Sequence, residues 1–119
     1  MKKDADALYQ LALDYLNGDC DDVLHNKAIS CLRNASMQDH TAAQLLLFRI
    51  LLKENSETSF QEGLRWLMRG AELGDPACMI DLGFMYQANN IIAEARYWYQ
   101  RAYSKGKEEA KWYLDRLPQ

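Results

Sequence analysis

The sequence is poor in residues that interrupt regular structure. Its 119 residues include only two prolines and six glycines, too few turn residues for an all-β chain. Cysteine is also scarce. The three cysteines, Cys20, Cys31 and Cys78, form neither a CxxC motif nor an even framework, which argues against a disulfide scaffold and favours a reducing compartment. No apolar run approaches the roughly 20 residues that a membrane-spanning helix needs.

Motifs for catalysis and metal binding are missing as well. The sequence has no HExxH, no GxSxG and no glycine-rich phosphate loop. His25 and His40 lack the spacing of zinc ligands, so we expect them at surface or capping positions. The acidic loop 19–22 lacks the ligand spacing of an EF-hand. We therefore expect a protein that is not an enzyme, with no catalytic residue, cofactor or metal site.

The charge is mildly acidic and unevenly spread. The formal net charge is −3, which argues against a bulk nucleic-acid binder. Residues 1–62 carry 6 basic and 10 acidic side chains, whereas residues 63–119 carry 8 and 7. The first residues, MKKDADALYQ, contain two lysines but no apolar segment of a signal peptide. We expect a cytoplasmic protein that does not associate with membranes.

Helical periodicity recurs along the chain with a regular interval. The dipeptides Leu11-Ala12, Leu47-Phe48, Leu82-Gly83 and Leu114-Asp115 are separated by 36, 35 and 32 residues. This internal period predicts three helix pairs and one closing helix. The predicted helices span residues 4–17, 24–37, 40–54, 59–73, 76–88, 91–105 and 107–117. No stretch alternates with period two for long enough to predict a strand.

The corner around Gly74 shows the local chemistry of a helix end followed by a helix start. Gly74 suits the left-handed residue that ends a helix, and Asp75 and Pro76 suit the cap and first position of the next one. Further corners are predicted at Asp39-His40 and Gly106-Lys107. Gly83 lies inside a predicted helix, where glycine costs roughly 1 kcal/mol against alanine, so we expect a close backbone approach there.

Two more helix starts are predicted from polar residues. Ser59 and Glu62 have the spacing of a capping box ahead of the fourth helix. Asn90, in the short Asn89-Asn90 turn, is predicted to cap the sixth helix.

Three segments together resemble a known family. They read GLRWLMRGAELGDPACMIDLGFMY, EARYWYQRAYSKG and YLNGDCDDVLHNKAISCLRNAS, and they resemble SEL1-like repeats, relatives of the tetratricopeptide repeat. The resemblance implies an all-α fold, a right-handed α-solenoid of three helix-turn-helix repeats plus a closing helix. It implies one domain over residues 1–119, with units of about 4–38, 39–74 and 75–106 and a closing helix at 107–117. Phe48 departs from the family pattern, because a small residue is usual at that close-packing site.

The resemblance also implies a protein-binding surface and no shared catalytic centre. In such repeats the first helix of each pair lines a concave face, and one stripe of that helix packs inward: Leu8, Leu11, Ala12 and Tyr15 in the first unit, and Met79, Leu82, Gly83 and Tyr86 in the third. A second stripe faces the groove. Its predicted partner-binding residues are Asp6, Tyr9, Leu13, Leu45, Arg49, Ile80, Phe84, Gln87, Trp112 and Arg116.

This second stripe is rich in apolar and aromatic residues, as interaction surfaces often are. Packing inside the array is the alternative. The segment around Leu45 and Leu52 is apolar nearly all round, which favours the core for both. Tyr9 and Phe84 are expected in the groove, whereas Trp112 could belong to the groove or seal the core.

The function predicted from these features is binding of a single protein partner. One surface and an acidic first half suit an inhibitory role, such as a bacterial immunity protein that masks a basic toxin or effector. General adaptor, scaffold and chaperone roles are alternatives, and we expect a monomer or weak dimer. An RNA- or anion-binding role is a further alternative, drawn from basic residues towards the C-terminus: Arg65, Arg69, Arg96, Arg101, Lys105, Lys107 and Lys111.

Overall fold

The computed structural model describes residues 4–119, and its regular structure over that range is entirely helical. The helices are α1 Ala5–Leu16, α2 Asp22–Met37, α3 Thr41–Leu52, α4 Glu57–Glu72, α5 Pro76–Ala88, α6 Ile92–Ser104 and α7 Glu109–Asp115. The predicted all-α fold with seven helices is confirmed over the described range. Every predicted bound lies within two residues of the observed one.

Four helices end on the same local structure, a residue with positive φ. The φ angle is 61° at Asp39, 102° at Gly74, 61° at Asn90 and 97° at Gly106. In each case the amide of the following residue donates to the carbonyl five positions earlier, at 2.9 to 3.2 Å, the bond of a Schellman motif. The corners predicted at Asp39, Gly74 and Gly106 are confirmed.

Asn90 does not cap α6 as predicted. Its left-handed conformation makes it the residue that ends α5, the position that Gly74 holds after α4. Asparagine tolerates this conformation better than most residues, because its short side chain bonds locally. The N-cap of α6 is Ile91, whose side chain makes no capping hydrogen bond.

The start of α5 follows the predicted chemistry closely. Asp75 Oδ1 accepts from the amides of Ala77 at 2.8 Å and Cys78 at 3.4 Å. Pro76 occupies the first helical position, where the missing N–H would have had no intrahelical partner. Asp75 is therefore confirmed as the cap that turns the chain into α5.

The predicted capping box of Ser59 and Glu62 is wrong. Helix α4 begins at Glu57, so Ser59 already lies in its first turn. The Ser59 hydroxyl donates to Glu54 Oε2 at 2.6 Å instead of capping the helix. Ser56 lies ahead of the helix, and its Oγ accepts from the Ser59 amide at 3.4 Å.

Glu62 binds α2 rather than the backbone of its own helix. The Arg33 guanidinium donates to Glu62 through Nε at 2.8 Å and through Nη2 at 2.9 Å, and Trp66 Nε1 donates at 3.3 Å. The Arg33 hydrogen bonds lower the pKa of Glu62. A charged, two-pronged donor stabilises this carboxylate more than one backbone amide would, so α4 and α2 are joined at this point.

The chain divides into two compact units, and the boundary falls inside α4. The first unit ends at Trp66, and the second spans Leu67–Gln119. The organisation predicted from the repeats, one domain over residues 1–119, stays a prediction.

The core of the first unit is aliphatic and contains many alanines. Its buried residues are Leu8, Ala12, Ala28, Ile29, Leu32, Ala35, Ala43, Leu47 and Leu51. On α2 the buried positions follow helical spacing, which places them on one face. The small alanine side chains leave room for α2 to pack against α1 and against α3. Leu8 and Ala12 thus pack inward as predicted.

A polar pair lies within this unit. The side chain of Gln44 is fully buried, and its Nε2 donates to the Ser36 carbonyl at 3.0 Å. Gln44 Oε1 and Ser36 Oγ have no hydrogen-bond partner among residues 4–119. Each unsatisfied buried group of this kind costs about 1 to 3 kcal/mol, so this pair is a weak point of the first unit.

In each unit a glycine lies against an aromatic ring from a neighbouring helix. In the first unit, a Cβ added to Gly63 of α4 would lie 3.4 Å from both Cα and Cδ1 of Phe48 in α3. In the second unit, a Cβ added to Gly83 of α5 would lie 2.5 Å from Tyr99 Cε1 in α6. The close approach predicted at Gly83 is confirmed, and Gly63 provides the room for the unexpected Phe48.

Candidate partner-binding surface

The ten predicted partner-binding residues divide equally between the two units. Asp6, Tyr9, Leu13, Leu45 and Arg49 belong to the first unit, and Ile80, Phe84, Gln87, Trp112 and Arg116 belong to the second. Their role in binding a partner stays a prediction.

In the first unit, His40 brings two of the predicted residues together. His40 Nδ1 accepts from the Ala43 amide at 3.1 Å and so caps α3. The other ring nitrogen therefore carries the proton, and Nε2 donates to Asp6 Oδ1 at 2.9 Å. The Tyr9 ring lies against the His40 ring, with centroids 4.8 Å apart. Tyr9 is half-buried as a result, and less exposed than predicted.

The other predicted residues of this unit are exposed to different degrees. Leu13 and Leu45 are half-buried, and Arg49 is exposed. Leu52, for which the sequence favoured the core, is 44% exposed. Phe48 and Leu51 occupy the buried face of α3 in its place. Leu52 instead lines an open cavity of about 310 Å³ together with Asn55, Ser56, Glu57 and Phe60.

In the second unit, Phe84 belongs to a cluster of three aromatic rings. Its ring packs edge-on against Tyr113, with centroids 4.7 Å apart, and against Tyr99 at 6.0 Å. Tyr99 and Tyr113 stack at 5.4 Å. Edge-to-face and offset arrangements of this kind are the favourable ones for aromatic pairs. Phe84 is 41% exposed, so one face of a firmly held ring is open to solvent.

Gln87 is tied to the same cluster by a hydrogen bond. The Tyr99 hydroxyl donates to Gln87 Oε1 at 2.8 Å. Burial raises the pKa of Tyr99 to about 12, because a phenolate would lose its hydration there. Gln87 is half-buried and supports the cluster through its carbonyl oxygen.

Trp112 of α7 and Arg116, the residue that follows this helix, form an exposed pair. The Trp112 side chain is 54% exposed, and the Arg116 guanidinium lies 3.6 Å from the centroid of its ring. Arg116 Nη1 also donates to the Trp112 carbonyl at 3.0 Å. Trp112 packs edge-on against Tyr113 at 5.1 Å. Of the two places open to it, Trp112 lies on the surface.

Ile80 is not available to a partner. It is only 6% exposed and lies in the core of the second unit. On α5, buried residues run from Cys78 through Ile80 and on to Leu82 and Gly83, so this part of the helix is covered on more than one face. Because Ile80 is buried, it does not present the surface that the predicted contact with a partner would need.

Two residues that organise these sites, His40 and Tyr113, were missing from the predicted set. Tyr113 contacts Phe84, Tyr99 and Trp112. One signal was present in the sequence: adjacent helical residues point about 100° apart, so only one of Trp112 and Tyr113 can face outward. Nothing local marked His40 as the partner of Asp6, since 34 positions separate them.

Several of the basic residues in the second unit are engaged by its own groups. Lys107 pairs with Glu109 at 3.6 Å, and Lys111 pairs with Asp115 at 3.1 Å. Arg96 Nη2 donates to the Pro118 carbonyl at 2.8 Å. Arg101 lies over the Trp98 ring at 5.1 Å. The two ion pairs offset part of the positive charge on which the nucleic-acid alternative depended, and the contacts of Arg96 and Arg101 hold these two guanidinium groups against the unit.

The described residues contain neither a cluster of metal-ligand side chains nor a helix that could span a membrane. No group of three His, Cys, Asp or Glu side chains between residues 4 and 119 is arranged to hold a metal ion. None of the helices in that range combines the length and apolar character needed to cross a membrane.

The comparisons with known proteins identify the family through structure. No family model matches the chain, and no curated protein matches it. The crystal structure of a Sel1 repeat protein from Oxalobacter formigenes is similar to this chain, with a TM-score of 0.75 and 30% identity. The match covers 94% of this chain and 88% of the other. The chain belongs to the Sel1 repeat family.

Membership confirms the predicted fold class, an α-solenoid of helix pairs. The Sel1 repeat fold is generally a protein–protein interaction module. Within this Sel1 repeat chain, the best candidate contact surface is the group Phe84, Trp112, Tyr113 and Arg116, hereafter the aromatic face. It combines exposed aromatic area with a guanidinium, on rings that pack against one another.

Proposed function

We propose that this Sel1 repeat chain is a non-catalytic module that binds a single protein partner mainly through its aromatic face. The observation that supports this is the exposure of Phe84 and Trp112 beside Arg116. Tryptophan, tyrosine and arginine dominate the binding energy of protein interfaces. Clustered exposed apolar groups of this kind are typical of interaction sites in soluble proteins.

The aromatic face is also ordered before any partner arrives. Tyr113 holds both Phe84 and Trp112 by edge-on contacts, and Tyr99 stacks beneath Tyr113. Side chains that are already held lose little conformational entropy on binding. A partner that covers these rings would therefore bind with a smaller entropy cost at these side chains.

The test compares two exposed aromatic residues of the same unit. Trp112→Ala should weaken partner binding by more than about 30-fold, corresponding to about 2 kcal/mol. Tyr97→Ala is the control, because Tyr97 lies on α6 outside the aromatic face and is 50% exposed. It should change affinity less than about twofold. Equal losses from both variants, or none from Trp112→Ala, would rule out the aromatic face as the main contact.

For the biological role we propose inhibition of a basic toxin or effector, as an immunity protein would act. The supporting feature is the acidic surface of the first unit. Its exposed acidic residues include Asp4, Asp6, Asp14, Asp19, Asp21, Asp22 and Asp39. Such a field speeds encounter with a positively charged protein and weakens as salt is added.

A pull-down from the native source, with neighbouring open reading frames co-expressed, tests this role. One stoichiometric basic partner whose toxicity the chain suppresses is the expected result. The association rate should fall with salt and in the variant Asp14→Asn with Asp19→Asn, while the dissociation rate stays nearly constant. Several unrelated partners bound weakly would indicate a general adaptor or chaperone instead.

A further inference from the structure

The inner helices carry one recurring pair of positions four residues apart. The pairs are Tyr9–Leu13, Leu45–Arg49, Ile80–Phe84 and Trp112–Arg116, separated by 36, 35 and 32 residues. Residues four apart lie above one another on a single helix face. In each of α1, α3 and α5 this pair therefore lies on one face of its own helix, and in the last case it consists of Trp112 of α7 and the residue after that helix.

Within each unit, the next inner helix covers part of this face on the earlier one. Tyr9 of α1 lies under His40, the N-cap of α3, at 4.8 Å. Phe84 of α5 lies under Tyr113 of α7 at 4.7 Å. Trp112 of α7 has ring contacts only with Tyr113 and Arg116 of its own segment, among residues 4–119. Within the described residues, Trp112 therefore lacks the ring from a later segment that Tyr9 and Phe84 each have.

The other stripe of α7 shows a different chemistry. Lys111 and Asp115 stand at the repeat positions of Met79 and Gly83, the residues that α5 buries. Both are exposed, and they form an ion pair with each other at 3.1 Å. This stripe is therefore polar, unlike the matching stripe of α5. Trp112 is also exposed but is aromatic, in contrast to these two polar residues. The exposure of α7 therefore does not by itself account for a tryptophan at this position.

The charges around Trp112 indicate what could cover it. Lys111 is paired with Asp115, and Lys107 with Glu109. Arg116 has no carboxylate partner among residues 4–119, and only its Nη1 has a hydrogen bond. Arginine presents five donors in a planar fork that matches a carboxylate. Trp112 and Arg116 therefore offer an apolar surface next to a cation that has no carboxylate partner within the described residues.

We propose that the aromatic face receives an amphipathic helix of a partner protein, seated where a further inner helix of the repeat would lie. An apolar side chain of that helix covers Trp112, and an aspartate or glutamate one turn away pairs with Arg116. This inference rests on the proposed function and specifies the part of the partner that is bound. It follows the helix-in-groove mode of recognition, in which anchors recur at three and four residues.

The test is selection from a library of 16-residue helical peptides displayed on phage, with four positions of one face randomised. The baits are the full chain and its variants Trp112→Ala, Arg116→Gln and Tyr97→Ala, each checked for helical content by circular dichroism. The full chain and Tyr97→Ala should enrich peptides with a large apolar residue one turn from Asp or Glu. Replacing that acid by its amide should weaken binding of the isolated peptide at least tenfold. This tenfold preference should disappear with Arg116→Gln.

Three outcomes of the peptide selection would overturn the inference. These are enrichment of neutral or basic peptides, enrichment that survives Trp112→Ala, and no enrichment at all. A Trp112-dependent dimer of the full chain would also overturn it, by making a second copy the occupant. In each case the proposed function is still tested separately, by comparing partner binding of Trp112→Ala and Tyr97→Ala.

Discussion

The contacts α3–α4 and α5–α6 both pack an aromatic ring against a glycine, but the two residues are exchanged between the helices. In the first unit, the ring comes from the first helix of the pair, as Phe48, and the glycine from the second, as Gly63. In the second unit, the glycine comes from the first helix, as Gly83, and the ring from the second, as Tyr99. Both arrangements bring two helices together around one aromatic side chain.

This comparison shows that the combined volume of the contact matters more than the position of the glycine. A dense interior has no room for two large groups at one point. A large residue at the usual small-residue site is therefore acceptable when its neighbour loses its side chain. The two contacts differ in tightness, since the nearest distance to an added Cβ is 3.4 Å at Gly63 and 2.5 Å at Gly83.

The largest expected effect is the removal of the ring from the first unit. Phe48→Ala should lower the free energy of unfolding by about 3 to 5 kcal/mol, because the buried ring leaves a cavity beside Gly63. Phe84→Ala in the second unit is the matched control. Phe84 is partly exposed, so we expect a loss of about 1 to 2 kcal/mol. Urea unfolding measures both, and a loss below about 1 kcal/mol for Phe48→Ala would contradict its buried position.

The second effect separates the two glycines directly. Gly83→Ala should cost about 1 to 3 kcal/mol, because the new Cβ collides with a Tyr99 ring that Tyr113 and Gln87 hold in place. Gly63→Ala should change stability by less than about 0.5 kcal/mol. The new Cβ would lie at 3.4 Å from its nearest neighbours, and the better helix propensity of alanine offsets any crowding there. Equal losses at the two sites would show that the difference in tightness is not real. Thermal unfolding of the two variants side by side provides the measurement.

The third effect is loss of stability in alkali, carried by the second unit. The pKa of Tyr99 is raised from 10.0 to about 12. The folded state therefore holds this proton more tightly, so the stabilisation is complete below pH 10 and is lost as the pH rises through 12. Its size is on the order of 2 kcal/mol. Tyr99→Phe should flatten this part of the stability profile, measured by urea unfolding from pH 9 to 12. An unchanged alkaline slope in that variant would assign the effect to other tyrosines.

The smallest effect is the corresponding loss in acid, carried by the first unit. The pKa of Glu62 is lowered from its ordinary value of 4.5 by Arg33. The stabilisation is present above pH 4.5 and is lost as the pH falls through the lower folded value. Because Arg33 is half exposed, we expect less than about 1 kcal/mol. Glu62→Gln should remove this part of the acid slope. Glu57→Gln, which changes a carboxylate bonded only by Gln61 within the described residues, should leave it in place.

How much of the fold was predictable depends on how local its causes are. The Gly74 corner with Asp75 and Pro76 was predicted in detail, because every bond in it joins residues within five positions. The predicted capping box of Ser59 and Glu62 failed because its outcome depended on a contact between residues far apart in the sequence. Glu62 had a competing partner in Arg33, which is 29 positions away.

The candidate site was predictable only in part, for the same reason. The repeat register placed Phe84, Trp112 and Arg116 on inner helices, and all three are exposed. It also placed Ile80 and Leu52 on the stripe, and the structure buries Ile80 and exposes Leu52. These apolar residues have nearly the same affinity for a core. Only their neighbours in space decide which of them enters it.

The sequence by itself determined the helices, their ends and the repeat that joins them into a family. Hydrogen bonds between near neighbours and the 3.6-residue period set these features, and both are written in consecutive residues. The tertiary structure decided which ring meets which glycine, which carboxylate meets Arg33 and which aromatic side chains stay open to solvent. These outcomes depend on volume and charge shared between residues far apart in the chain, which no local pattern records.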